Sequence, residues 1–247
     1  MRNTSKYLFF CLVLLLGLFA CSEANESSLS ETVLQDYLEI HKDKVIDEVI
    51  ACAGNERNNV EKVFVYYYPI VGSSNYRYYE TESAAVNPND FSNYKLKELP
   101  SEGVFGDKLS FFTRETTYEA WGIVTFLTEG KIHKSNPIRL KQQTKPTIYT
   151  ENIVIDTSQN GTPKFQWEES SYREDAIYFQ ALVTNTNEFI SGTYTIEKCF
   201  RYYDTSNVVL DINLGTPPTL NTTAEYQMNI LGVSEDNWVN VHARQTF

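Results

Sequence analysis

The chain has 247 residues and a formal net charge of −11, with 32 Asp+Glu against 21 Lys+Arg. That acidic balance excludes the basic surface needed to hold nucleic-acid phosphates, and a content of 42% hydrophobic and 21% charged residues excludes a disordered or collagen-like chain. Four cysteines are too few for a disulfide-rich scaffold, while 14% aromatic residues, 17 of the side chains being tyrosine, favour β-structure.

The N-terminus opens with Arg2 and Lys6, followed by the apolar run Tyr7 to Ala20. That run has the length of a signal-peptide core and is short for a membrane span. It ends at Leu18-Phe19-Ala20-Cys21, which resembles the lipobox of bacterial lipoproteins. The resemblance implies cleavage after residue 20, diacylation of the Cys21 thiol and acylation of its new amine, with palmitate-type chains. More than one buried acyl chain gives stable membrane anchoring. Removing residues 1–20 takes two basic residues and no acid, so the net charge moves from −11 to −13. Residues 21–28 are small, polar and acidic and read as a flexible tether. Ser22 is not the aspartate that retains many lipoproteins in the inner membrane, and Glu23 and Glu26 resemble the surface-export tag of Bacteroidota lipoproteins. The location implied is the outer membrane, lipid-anchored, on its periplasmic or cell-surface face.

Ser28-x-x-Glu31 matches a capping box, and apolar residues from Val33 to Ile50 recur every three or four positions. This predicts a helix from Leu29 to about Asp47, within a helical neck at 29–54. Its apolar face is expected to pack on the next domain or on a second copy. The stretch Val45 to Ala53 reads equally as helix or first strand. Beyond Gly54 the period changes to two. Val63-x-Val65-x-Tyr67, Tyr76 to Tyr79, Leu109 to Phe112, Ala120 to Leu127 and Ile138 to Leu140 read as strands, separated by Pro, Gly and Asn-rich turns. Thr144-Lys145-Pro146 marks a seam. After it come Ile153 to Ile155, Lys164 to Trp167, Ala176 to Val183, Thr193 to Glu197, Val208 to Ile212 and Tyr226 to Leu231, with Asn160-Gly161 as a hairpin signal. Many short strands with no crossover helices predict β-sandwiches.

The two halves, 55–143 and 144–247, each resemble a fibronectin type III or related immunoglobulin-like module. In the second half Pro163 to Trp167 resembles strand B with its core tryptophan, Ile177 to Leu182 resembles strand C, and Leu220-x5-Tyr226-x-Met228-x-Ile230 resembles the tyrosine corner and strand F. In the first half Tyr66 to Pro69 with Asn75 to Tyr79 resembles the B–C region. Gly122 to Phe126 and Ile138 to Leu140 resemble strands F and G, and Phe112-x5-Tyr118 repeats the corner spacing. The resemblance implies a mainly β fold of two tandem sandwiches.

Catalytic chemistry finds no signature. His41, His133 and His242 have no metal-site spacing, with His133 expected in the F–G loop, and no Gly-x-Ser-x-Gly elbow or nucleotide-binding motif occurs. The acids Glu168, Glu169, Glu174, Asp175, Glu235 and Asp236 could serve a hydrolase only as a pair about 5–10 Å apart in one cleft. Asp156-x-Ser158-x-Asn160-Gly161 begins like a calcium loop, but Trp167 occupies the position of the bidentate acid. Cys52 and Cys199 are candidates either for a disulfide, in an oxidising envelope, or for two separate buried thiols. Among the aromatics, Tyr202, Tyr203 and Trp238 are candidate ligand contacts. Adjacent Tyr78 and Tyr79 must point to opposite faces of a strand, which puts one of them outward. The expectation is a non-enzymatic, lipid-anchored envelope protein with no cofactor or metal, acting as a binding or assembly module for protein partners. The alternative is a surface glycan-binding lipoprotein of a polysaccharide-capture system.

Overall fold

The computed structural model describes residues 29–247, so the segment expected to be a signal peptide, Cys21 and the expected tether lie outside the described residues. Among the described residues the chain forms one short α-helix, α1 (Leu34–Ile40), and nineteen strands arranged as two β-sandwiches in tandem. The first sandwich runs β1 (Val45–Val49), β2 (Ala51–Glu56), β3 (Asn59–Tyr67), β4 (Ser74–Glu80), β5 (Lys95–Lys97), β6 (Ser101–Val104), β7 (Leu109–Glu115), β8 (Trp121–Thr128), β9 (Lys131–Ser135) and β10 (Ile138–Arg139). One of its sheets has the order β1-β9-β8-β4-β5, with β10 on β8; the other is β2-β3-β7-β6. The second runs β11 (Ile148–Thr150), β12 (Ile153–Asp156), β13 (Lys164–Trp167), β14 (Ile177–Thr184), β15 (Phe189–Thr195), β16 (Cys199–Arg201), β17 (Val208–Asp211), β18 (Tyr226–Val233) and β19 (Val239–Thr246). Its sheets are β11-β19-β18-β14-β15-β17 and β12-β13-β16.

Both sandwiches open the same way. A first segment pairs in parallel with the last long strand, and the chain then crosses to the opposite sheet and pairs antiparallel with the next strand. Thus β1 lies on β9 and β2 on β3; β11 lies on β19 and β12 on β13. Residues 45–54 are therefore strand, and the long neck helix is not formed. The apolar residues from Val45 onward are divided between two short strands in different sheets, joined at Ile50, and of β1 only Val49 is buried. The helix starts at Val33 with no side-chain cap, while Glu31 pairs with Arg77 and with His41, 3.1 Å away.

The helix explains why Tyr78 and Tyr79 are both fully buried. Tyr78 points into the first sandwich with Val65, Phe112 and Val124. Tyr79 points outward, where Leu34 and Tyr37 of α1 cover it together with Tyr94, Ile123 and Ile132. The helix thus packs on its own sandwich. His133 lies in β9, not in a loop; it is 2% exposed and stacks on Phe126 with ring centres 4.8 Å apart. Glu80, 1% exposed, accepts hydrogen bonds from the Arg114 guanidinium and from the hydroxyls of Tyr78 and Tyr118, each about 2.9 Å away. Tyr118 is accordingly not a backbone-directed corner. Tyr226 is: its ring packs in the second core beside Leu220, and its hydroxyl accepts the Asn221 N–H at 2.9 Å. The second core also holds Phe165, Trp167, Phe200 and Met228, as alternation along β13 and β18 requires.

Candidate functional site: the cleft between the sandwiches

The seam is a bonded junction. Trp238 belongs to the second half of the chain, yet its ring is 0% exposed within the core of the first sandwich, and its Nε1–H donates to the Lys145 carbonyl at 2.7 Å. Ala53 N–H donates to Asn237 O at 3.0 Å. Asn55 accepts the Thr147 N–H on Oδ1 at 2.7 Å, and Thr147 donates from its hydroxyl to Val239 O at 2.8 Å. Gly54 allows this approach, because a Cβ there would stand 2.9 Å from Thr147 Oγ1 and 3.1 Å from Val239 Cβ. Lys141 pairs with Asp236 at 2.9 Å and Lys145 with Glu174. At a second zone the β6–β7 turn reaches the β14–β15 turn, and the Lys108 ammonium sits 5.2 Å from the Tyr68 ring centre and 5.4 Å from that of Phe189.

Between these two zones lies a cleft of about 710 Å³. Strand alternation builds its walls. On the second sandwich, Ile177, Phe179 and Ala181 of β14 share a face with Tyr194 of β15, Asn229, Leu231 and Val233 of β18, and His242 and Arg244 of β19; Phe179 sits opposite both Tyr194 and Leu231. Residues one position over, Tyr178, Leu182, Met228 and Ile230, fill that sandwich's core. On the first sandwich the wall is Ile50, Cys52, Tyr66 and Tyr68, with Cys52 directly opposite Tyr66. Apart from Cys52 and His242, weighed for a disulfide and a metal site, none of these residues stands out in the sequence as a candidate contact. The available signal was β14, where Ile177 to Val183 carries large apolar residues at both parities, so both faces require cover.

Four polar groups of the cleft, Cys52, Tyr66, Tyr194 and His242, are held neutral. Burial pushes the Cys52 thiol up to about 12, which leaves it a poor nucleophile. Burial, aided by Tyr149, Cys52 and Glu56, pushes the Tyr66 hydroxyl well above the ordinary tyrosine range, and burial with Cys52 does the same to Tyr194. His242 is pushed down to about 4 by burial and then by Arg244 and Arg57; its Nε2 meets Asn229 Oδ1 at 3.3 Å.

Apart from Cys52 and His242, which line the cleft, the residues singled out from sequence fall elsewhere. Trp238 and Tyr202 are not outward platforms: Trp238 plugs the junction, and Tyr202, 1% exposed, donates to Pro218 O at 2.6 Å. Tyr203 is half-buried and bonded to Asp211. Cys52 and Cys199 form no disulfide; both are free thiols, in different sandwiches. Of the acids, Glu174 and Asp236 neutralise junction lysines, while Asp175 accepts from the Ser170 N–H at 2.7 Å and from Asn240 at 2.9 Å. Asp156 closes a local turn on Ser158 N–H at 2.9 Å. Among the described residues no cluster of three or more His, Cys, Asp or Glu is placed to hold a metal, and no helix is long and apolar enough to cross a membrane.

No protein family profile matches the chain, and no curated protein matches it in sequence. Among solved structures it is similar to the crystal structure of chicken CNTN1 FN1-FN3 domains, at 7% identity and a TM-score of 0.30, covering 83% of this chain and 66% of that one. A score of that size carries no argument, and the tandem-sandwich class rests on this chain's own strand pairings.

Proposed function

We propose that this protein is a non-enzymatic, lipid-anchored envelope protein that works as a binding module, with the cleft between its sandwiches as the binding site. The observation that carries the reading is the cleft itself: a preformed concavity with apolar, aromatic walls and a few neutral polar groups, at a domain junction. The junction bonds fix the walls, so a ligand meets an organised site and little ordering cost. The unreactive Cys52 and the structurally committed acids favour binding over catalysis. The polysaccharide reading has lost Trp238 and Tyr202 as stacking platforms and retains Tyr203 alone.

Two experiments on the full-length chain test the proposal. Cys21→Ser should abolish palmitate incorporation and release the protein from the membrane fraction; retained labelling would refute the anchor. A photocrosslinking benzoylphenylalanine at position 68, in the cleft, should acquire a discrete added mass in cells, while one at position 118, outside it, should not. No adduct at position 68, or equal adducts at both, refutes the cleft as the site.

A further inference from the structure

Two tyrosine hydroxyls open onto the cleft. Tyr194 is 9% exposed and Tyr66 is half-buried; each reaches the cavity, and neither hydroxyl has a hydrogen-bond partner among the described residues. They come from different sandwiches, and both lie close enough to Cys52 to feel its charge state. Several other buried tyrosines are satisfied within the protein: Tyr67 bonds Ser101 at 2.5 Å, Tyr78 bonds Glu80 at 2.9 Å, Tyr94 donates to Pro88 O at 2.8 Å and Tyr202 to Pro218 O; the Tyr37 hydroxyl, of α1, is buried without a partner but does not line the cleft. Both hydroxyls open onto the cavity, so a molecule that occupies it meets two donors with no protein acceptor to displace.

The surroundings limit what that partner can be. The inner walls are Ile50, Phe179, Leu231 and Val233, which offer no counter-charge. The charged groups lining the cleft are Glu48, Asp107, Glu188 and Arg244, a net negative set that disfavours an anion. An ionised group brought between Phe179 and Tyr66 would be desolvated without compensation. A neutral oxygen would accept from one or both hydroxyls. The volume, about 710 Å³, suits a small organic molecule.

Resting on the cleft as the binding site, we propose that its ligand is an uncharged, largely apolar organic molecule carrying a carbonyl or hydroxyl oxygen, which sits between Tyr66 and Tyr194.

Benzophenone, an uncharged apolar ketone that crosslinks under light, tests this on the full-length chain in membrane vesicles. Its anionic analogue 4-benzoylbenzoate is the matched control. Crosslinked peptides are mapped by mass spectrometry. Benzophenone should label the cleft strands β14 and β18 saturably, and the anion at least tenfold less efficiently. Tyr194→Phe keeps the ring and removes the hydroxyl, so the half-saturating concentration should rise about fivefold to tenfold, as for loss of one hydrogen bond. Leu231→Trp, which fills the cavity, should abolish saturable labelling while leaving circular dichroism unchanged. Equal labelling of the cleft by both probes overturns the uncharged class and leaves the cleft as a site. An unchanged half-saturation in Tyr194→Phe overturns the role of the hydroxyl. An adduct of protein mass at position 68 overturns a small-molecule occupant, and labelling by neither probe overturns the ligand class and the cleft together.

Discussion

Replacing Trp238 by alanine is the most direct test of the junction. The indole is fully buried in a core to which its own half of the chain otherwise contributes nothing, and its N–H is satisfied by Lys145 O at 2.7 Å. Truncating a buried tryptophan costs about 3–5 kcal/mol through lost burial and the cavity left behind. The orphaned carbonyl adds about 1 kcal/mol, because the hole can admit water to it. The expected loss is about 4–6 kcal/mol, a large part of the roughly 5–15 kcal/mol that holds a typical domain folded. The cavity opens in the first sandwich, against Ala53, Ala120, Ile138 and Leu140, so that sandwich should melt first. Two tryptophans remain as reporters, Trp121 in the first sandwich and Trp167 in the second. Each can be isolated by changing the other to phenylalanine and followed by fluorescence in urea. With an m-value of about 1–3 kcal/mol/M, the Trp121 midpoint should fall by more than about 1 M. In the parent the two transitions should coincide, and in Trp238→Ala they should separate. A loss under about 1.5 kcal/mol, or transitions that stay coincident in the variant, would refute the view that this residue couples the sandwiches.

Two other substitutions probe charge. Glu80→Gln leaves the Arg114 guanidinium without its buried carboxylate and should cost about 3–5 kcal/mol in urea unfolding; a loss within about 0.5 kcal/mol would mean that the pair is solvated. His242 is neutral in the folded state down to about pH 4 and titrates at 6.5 when unfolded. The unfolded chain therefore binds the proton first as pH falls, and stability present above pH 6.5 is lost progressively down to about pH 4, by up to about 3 kcal/mol. His242→Gln should flatten that part of the stability–pH curve relative to the parent, with Arg57, Arg244 and Asn229 unchanged around it; identical slopes would refute the assignment.

Much of the architecture was legible because it is local. Period-two runs placed strands at Val63–Tyr67, Lys164–Trp167, Ile177–Val183 and Tyr226–Leu231, and the Leu220–Tyr226 spacing marked a corner that forms through the Asn221 N–H. The helix was mis-sized because the Val45–Ala53 pattern fits two short strands in different sheets as well as it fits one helix. Pairing across the fold decides between them: β1 is held by β9, more than eighty residues later. The candidate contacts Trp238 and Tyr202 failed for a related reason, since an aromatic in a turn or at a strand end looks exposed until its partner element arrives.

By itself the sequence determined the strand content, the division into two halves, the acidic charge and the terminal segment that resembles a lipoprotein signal. These are set by residue type, period and neighbouring positions. The docking of one half on the other was decided only in three dimensions. A strand's two faces are equally apolar on paper, and whether the outer one meets solvent, a helix or a second sandwich depends on long-range packing. Tyr79 found α1, Trp238 found the first core, and Phe179 and Tyr194 of one sandwich and Tyr66 of the other were left lining an open cleft.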